Sequence, residues 1–234
     1  MCIPSLAGAW GMLIQSDNSG VGEAPPAAAY QKTCTFEGDI ACETSDFADY
    51  GGTDPNYDYD TTGLEMQGSQ CLELDSNDET IYTLPTNSET YITFWYRVSA
   101  DPTSTSTIMQ VRDSGANVIG ALYHRTDTNK FYVQAAGGSF SAYPTQTFTN
   151  GATVYLKLRY KQGTDPTCAV PGNCAEMQLY IWDGSDWDDT VSSTDGTDTD
   201  APFDIRVGFA VGVTSYFDLF KADDEDITDA TDDL

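Results

Sequence analysis

The sequence predicts an all-β chain folded as two antiparallel sheets packed face to face, and three observations carry that prediction. Four segments alternate apolar and polar residues at the two-residue period of a strand, and clusters of Asp, Gly, Asn and Ser separate the extended segments. No helical period competes over any comparable length. At 234 residues the chain can bury a full core, and sandwiches of this length are commonly one domain.

Residues 1–30 form an arm of small and apolar residues ending in the linker Pro25-Pro26-Ala27-Ala28-Ala29. The arm is too short to make a core alone, and a helix around Leu6 to Leu13 is short and interrupted by glycine. Trp10, Met12, Leu13 and Ile14 give it an apolar surface to bury on a neighbour, the alternative being a disordered tail. Residues 31–228 are assigned to the sandwich and 229–234 to an acidic tail. Within the sandwich, residues 43–67 read as a long acidic, aromatic loop, and strands begin in earnest near Gln70.

In the strand Tyr91 to Val98 the inward set is Ile92, Phe94, Tyr96 and Val98. Further strands are expected at Ser106 to Arg112, Val118 to His124 and Lys130 to Ala135, separated by the turn clusters Asp113-Ser114-Gly115 and Thr126-Asp127-Thr128-Asn129. Next come Val154 to Lys161, with Val154, Leu156, Leu158 and Tyr160 inward, and Met177 to Trp182, with Met177, Leu179 and Ile181 inward. The run Ile181-Trp182-Asp183-Gly184-Ser185-Asp186-Trp187 reads as a hairpin whose Asp-Gly supplies the positive φ of a tight turn. Ile205 to Val211 is the fourth alternating strand, with Ile205, Val207, Phe209 and Val211 inward. Each large apolar side chain so buried contributes about 1.5 to 3 kcal/mol before conformational entropy is set against it.

The residues facing away from the core are Tyr91, Trp95 and Arg97, then Tyr155, Lys157 and Arg159, then Tyr180 and Trp182, and finally Arg206. If their strands adjoin in one sheet, aromatic rings and most of the scarce cations share one platform. Sugar rings would stack on such a platform while Arg and Lys bond hydroxyls or acidic substituents. The alternative is a face covered by an arm, a loop or a second subunit, with the same rings as interface core.

Certain local runs are specific enough to suggest a family. Thr35-Phe36-Glu37-Gly38-Asp39, Gly68-Ser69-Gln70-Cys71-Leu72-Glu73-Leu74 and the Phe94-Trp95 strand resemble the opening of concanavalin A-like, laminin-G-like domains. Gly208-Phe209-Ala210-Val211-Gly212 and Tyr216-Phe217-Asp218-Leu219-Phe220 resemble the closing strand that returns beside the first. The resemblance spans Lys32 to Thr228 and is to the acidic versions found in phage particles and large extracellular proteins. It implies a two-sheet antiparallel jelly roll of the concanavalin A-like kind, preceded here by the extended arm. It argues fold better than function.

Charge narrows the partners. Thirty-seven acidic residues against 10 basic ones give a net charge of −27, so phosphate backbones and anionic membranes are repelled; nucleic acid and membrane are excluded as partners. Met1-Cys2-Ile3-Pro4 carries no basic residue and the apolar run to Ile14 lacks a cleavage site, so no export signal is read; no stretch is long and apolar enough to span a bilayer. The composition suits a virion surface or an extracellular location. The expected function is therefore a non-enzymatic virion structural protein, a capsid decoration or tail-associated subunit binding other virion subunits or copies of itself. The alternative is an extracellular carbohydrate-binding module for a surface glycan, with Trp95, Arg97, Tyr155, Lys157, Arg159, Tyr180 and Trp182 at the ligand or partner surface.

Cysteine and carboxylate patterns complete the reading. Cys168 and Cys174 bracket a turn-rich loop and predict a local disulfide; Cys2, Cys34, Cys42 and Cys71 stay unassigned. With one histidine and no Cys-x-x-Cys pair, no zinc site is expected. Laminarinase-like hydrolases of this fold carry E-x-D-x-x-E on one strand, and Glu73-Leu74-Asp75-Ser76-Asn77-Asp78-Glu79 comes near it with Asp78 in place of the second Glu; the shorter Asp alters the carboxyl separation. His124 has no nucleophile motif beside it and is expected to be a solvated strand-end residue, so no catalytic residue is assigned. Laminin-G-like domains also admit calcium at a loop rim. The acidic clusters here (Asp54 to Asp60, Asp186 to Asp189, Asp223 to Asp226) lack the spacing of a known calcium loop, and no cofactor is assigned.

Overall fold

The computed structural model describes residues 32–34, 47–49, 71–75, 78–85, 87–100, 103–125, 128–142, 151–184, 186–208 and 212–227. Among them are fourteen strands and no helix, arranged as two antiparallel sheets. The first sheet runs β1 (Lys32–Cys34), β14 (Ser215–Asp223), β5 (Glu89–Val98), β10 (Val154–Lys161), β11 (Ala175–Trp182), β12 (Trp187–Gly196), with β3 (Leu72–Leu74) also paired to β14. The second runs β2 (Phe47–Asp49), β4 (Glu79–Thr83), β13 (Asp204–Gly208), β6 (Ser106–Arg112), β7 (Val118–Arg125), β8 (Lys130–Ala135), β9 (Ser141–Ala142). The last long strand does return beside the first, with Lys32 opposite Ala222 and Cys34 opposite Phe220.

The expected inward sets form the core. Ile92, Phe94, Tyr96, Val98, Leu156, Leu158, Tyr160, Met177, Leu179, Ile181, Ile205 and Val207 are all buried, and Val154 packs against them partly exposed. Rings bridge the two layers: Phe220 stacks on Phe94 at 5.2 Å and meets Tyr82 of the opposite sheet at 5.8 Å, while Tyr96 touches Phe217 and Phe131 at 5.3 and 6.1 Å. The fourth alternating strand is shorter than expected. It ends at Gly208, whose φ of 121° only glycine adopts readily and where a Cβ would run into the carbonyl oxygen of Asp78; Phe209 and Val211 lie outside the described residues.

Several expectations change. Arg206 belongs to the second sheet, where it pairs with Glu79, and so is absent from the aromatic face. His124 is fully buried instead of solvated: its Nε2 lies 3.0 Å from Asn129 Oδ1 and its ring 5.7 Å from that of Phe131. The Glu73 to Glu79 run does not occupy one strand, because Glu73 lies in β3 of the first sheet and Glu79 opens β4 of the second. Strands β2, β4 and β9 are additions, β2 falling inside the segment 43–67 expected to be a loop, and β12 is the second arm of the expected Asp-Gly hairpin. In β4 the buried positions are Thr80 and Tyr82 while Ile81 is half-exposed, which inverts the usual pattern; β12 is largely polar.

The Cys168–Cys174 disulfide is present, with Cα atoms 4.8 Å apart. Asp165 organises the same loop by accepting hydrogen bonds from Thr167 N, Thr167 Oγ1 and Ala169 N at 2.7 to 2.9 Å. Cys34 is disulfide-bonded too, and Cys71 is buried. Cys2, Cys42, the arm residues Trp10, Met12, Leu13 and Ile14, and the tail 229–234 lie outside the described residues. Among those described, no helix is long and apolar enough to cross a membrane.

Candidate ligand-binding face

Strands β5, β10 and β11 are neighbours, so the outward residues do meet on one face of the first sheet. Register places Trp95 opposite Tyr155, Thr93 opposite Lys157 and Tyr91 opposite Arg159. On the other flank Lys157 faces Tyr180, Arg159 faces Gln178, and across the hairpin Trp182 faces Trp187. Strand β14 adds Asp218 opposite Trp95 and Tyr216 opposite Arg97. Trp95, Arg97, Tyr155, Lys157, Arg159, Tyr180 and Trp182 therefore share this surface.

Its centre is a continuous row of rings. Trp95 stacks on Tyr155 at 4.7 Å, Tyr155 meets Trp187 at 5.1 Å, and Trp187 meets Trp182 edge-on at 5.4 Å. Trp187 is the residue sequence reasoning missed. The Asp-Gly hairpin was the available signal, since a turn closing at Trp182 and Trp187 sets both side chains on the same side of the sheet. Gly184 takes the positive φ of 102°, and Asp183 N donates to the Asp186 carbonyl at 3.1 Å to close the loop.

The platform is less open than expected. Tyr155 and Lys157 are buried, 2% and 3% exposed, where an open stacking surface would leave them accessible. Tyr155 is held by rings on two sides, and its hydroxyl donates to Thr93 Oγ1 at 3.1 Å. Lys157 is covered by the chain leaving β14: its Nζ donates to Asp226 Oδ1 at 2.8 Å and the Ile227 carbonyl at 3.2 Å. The ammonium also lies 4.6 and 4.8 Å from the ring centres of Tyr180 and Trp187, a cation–π pair of contacts. Nothing in the alternation of the strands announces Asp226 or Ile227. The rings that keep partial exposure are Tyr91, Trp95, Tyr180, Trp182 and Trp187.

Beyond Lys157 the face becomes a polar network around Arg159. Its Nε donates to Glu89 Oε1 at 2.5 Å, and its Nη1 donates to Glu176 Oε2 and Gln178 Oε1 at 3.0 and 2.8 Å. Tyr91 donates to Glu89 and Tyr180 to Gln178. Burial pushes Glu89 upward, but the hydrogen bonds from Arg159 and Tyr91 and the charge of Arg159 outweigh it, leaving its carboxyl below the ordinary range. Burial opposes the charge of Arg159, yet Glu89 holds its pKa above the usual value. The Tyr91 hydroxyl is pushed up to about 12 by burial first and then by its bond to Glu89.

At the opposite end Arg97 stands two residues beyond Trp95 on β5. The buried Nε of Arg97, Nε1 of Trp95 and Nε1 of Trp187 have no hydrogen-bond partner.

Among the described residues no group of three His, Cys, Asp or Glu side chains is placed to hold an ion. Asp223 accepts from the backbone N–H groups of Asp224 and Glu225, and Asp186 from that of Trp187; the cluster from Asp54 to Asp60 lies outside the described residues.

No protein-family model matches the sequence, and no curated protein matches it. Solved structures do. A mutant of the alginate lyase Aly36B in complex with alginate trisaccharide superposes with a TM-score of 0.52 at 12% identity, covering 85% of this chain and 95% of that one. A structure described with the endo-acting O-glycanases that prominent members of the human gut microbiota express to initiate mucin breakdown gives 0.52 at 12% identity, over 85% and 100% of the two chains. A botulinum neurotoxin type C structure, from work on cell entry dependent upon two ganglioside molecules, gives 0.50 at 12% identity, over 77% of this chain and 43% of the other. At such identities the likenesses establish the fold: this chain is a two-sheet, jelly-roll-like β-sandwich.

Proposed function

We propose that the chain is a non-enzymatic carbohydrate-binding domain and that the outer face of its first sheet is the glycan site. One observation carries the reading: the row Trp95, Tyr155, Trp187 and Trp182, four rings in contact on the side of the sheet away from the core, three of them still partly exposed. Rings of this kind present flat apolar faces to the C–H faces of sugars, and the polar groups of Arg159, Gln178 and Tyr180 lie on the neighbouring strands to orient hydroxyls. The glycan-related neighbours in fold are consistent with this reading but contribute only the fold to it.

Binding without catalysis fits the carboxylates on this face. A general acid needs a pKa raised towards the working pH, whereas Glu89 is held down and Glu176 accepts from Arg159. Tyr91 at about 12 is equally unsuited to act as a base near neutrality. The virion setting draws on composition and family resemblance alone. A surface location, on a particle or outside a cell, remains part of the proposal.

Trp182→Ala is the test. A sugar ring covering roughly 60 Å² of the indole at about 25 cal/mol per Å² is worth about 1.5 kcal/mol, or about tenfold in affinity. A glycan array followed by calorimetry on the best hit should show that loss with an unchanged melting temperature. A blank array, or a hit that Trp182→Ala leaves untouched, would remove the proposal.

A further inference from the structure

The unmet polar groups on the outer face of the first sheet share one property: Arg97 Nε, Trp95 Nε1 and Trp187 Nε1 are all donors. Among the described residues the buried side-chain carbonyl without a hydrogen-bond partner, Gln110 Oε1, belongs to a strand of the other sheet. The three atoms are themselves buried, so what a ligand can reach at this end of the face is the half-exposed side chain of Arg97.

Arg97 makes the case specific. The chain has 10 cationic residues among 37 acidic ones, so a carboxylate is rarely far from any cation. Arg112, Lys157, Arg159 and Arg206 are each held by one. Arg97 is half-buried, its buried Nε has no hydrogen-bond partner, and among the described residues no carboxylate pairs with it, although leaving a partly desolvated guanidinium unmatched is costly. It sits two residues from Trp95 on the same side of β5, so an anion at the guanidinium lies about 7 Å along the strand from the ring row. That is the span of one or two sugar residues.

We infer that the glycan carries an acidic sugar, and that Arg97 receives its carboxylate in the forked, two-bond geometry that a guanidinium offers while the ring row takes the adjoining sugar. The −27 net charge works against long polyanions, so the expected ligand bears one acidic sugar at or near its end, not a continuous acidic polymer. The inference rests on the proposed glycan site.

Calorimetry on the full chain would use three oligosaccharides: one with a single terminal carboxylated sugar, its carboxyl-reduced neutral counterpart, and one with a terminal sulfate ester. The carboxylated ligand should bind at least tenfold more tightly than its neutral counterpart, and Arg97→Gln should erase that difference. The melting temperature of Arg97→Gln should hold or rise, because the variant removes a half-buried cation that has no carboxylate partner among the described residues. Equal affinity for the carboxylated and neutral ligands, or a carboxylate preference that survives Arg97→Gln, overturns the inference while leaving the glycan site standing. A stronger preference for sulfate also overturns it, as does a melting temperature that drops in Arg97→Gln, which would make Arg97 a structural residue. Failure of all three ligands and of the glycan array together would count against the site itself.

Discussion

The most quantitative demand the fold makes is at Arg112 and Asp204, cross-strand partners at the join of β6 and β13. Arg112 Nε donates to Asp204 Oδ1 at 2.7 Å and its Nη2 to Oδ2 at 2.9 Å, a forked pair whose side chains are 4% and 11% exposed. Asp204→Ala leaves a buried guanidinium without its counter-charge, which costs about 3 to 5 kcal/mol, whereas replacing both partners by apolar residues is about neutral. Unfolding entropy of about 2.1 cal/mol/K per residue over 234 residues makes each kcal/mol worth about 2 °C. Thermal unfolding followed by circular dichroism should therefore show Asp204→Ala melting about 6 to 10 °C below the parent. The double variant Arg112→Met, Asp204→Leu should recover to within about 2 °C. A loss under 2 °C in the single variant, or a double variant as unstable as the single one, would show that the pair is not desolvated as its geometry implies.

Two further outcomes can be measured on the same samples. Replacing Cys168 and Cys174 together by serine opens a loop closed over a separation of six residues, which chain-entropy reasoning values at about 2 kcal/mol, so the melting temperature should fall by about 4 °C; an unchanged value would mean that the Asp165 hydrogen bonds already fix the loop. Burial raises the Asp113 carboxyl, but hydrogen bonds from the Asn117 side chain and the backbone of Asn117 and Gly115 outweigh it and hold the pKa below the ordinary value. A depressed folded-state pKa contributes stability that is complete above the unfolded value near 4 and is lost as pH falls through the folded one, so the gap in melting temperature between the parent and Asp113→Ala should be widest above about pH 5 and narrow towards pH 3. A gap independent of pH would refute the ionised role of Asp113.

Much of this was legible from residue order alone, for reasons particular strands make plain. β5, β10 and β11 alternate cleanly because each has one face in the core and one outside, so Ile92, Phe94 and Tyr96 could be told from Trp95 and Arg97 by position. The length of β12 beyond the hairpin could not be read, because its inward side is carried by Val191 and Ser193 among polar neighbours. The status of Arg206 could not be read, since alternation says which side of a strand a residue takes but not which sheet the strand joins. Exposure on the ring face was misjudged at Lys157 because the covering segment, Asp226 and Ile227, lies some seventy residues away and carries no periodic signal, and at Tyr155 because the rings of Trp95 and Trp187 close over it from two sides.

Strand β14 shows how closely the core and the proposed site are tied. All of Ser215 to Ala222 is buried, so its burial pattern alone assigns no faces. Pairing with β5 does: Phe217 faces Tyr96 and Asp218 faces Trp95, yet the next pair is Lys221 with Thr93, two steps along β5 against three along β14. The extra residue is a bulge at Leu219, which adopts a φ of 45° while its N–H donates to Asp218 Oδ1 at 2.7 Å. A leucine in that region costs about 1 to 2 kcal/mol. The shift sends both Phe217 and Phe220 inward to Phe94, Phe217 tilted against it and Phe220 stacked on it, and turns Asp218 and Lys221 to the outer face. Strict alternation from Phe217 would instead carry Leu219 into the core and rotate Phe220 out. The bulge thus couples the aromatic packing between the sheets to the side-chain order on the side where Tyr216 borders Arg97, and a ligand gripping that border acts on the same strand that closes the sandwich.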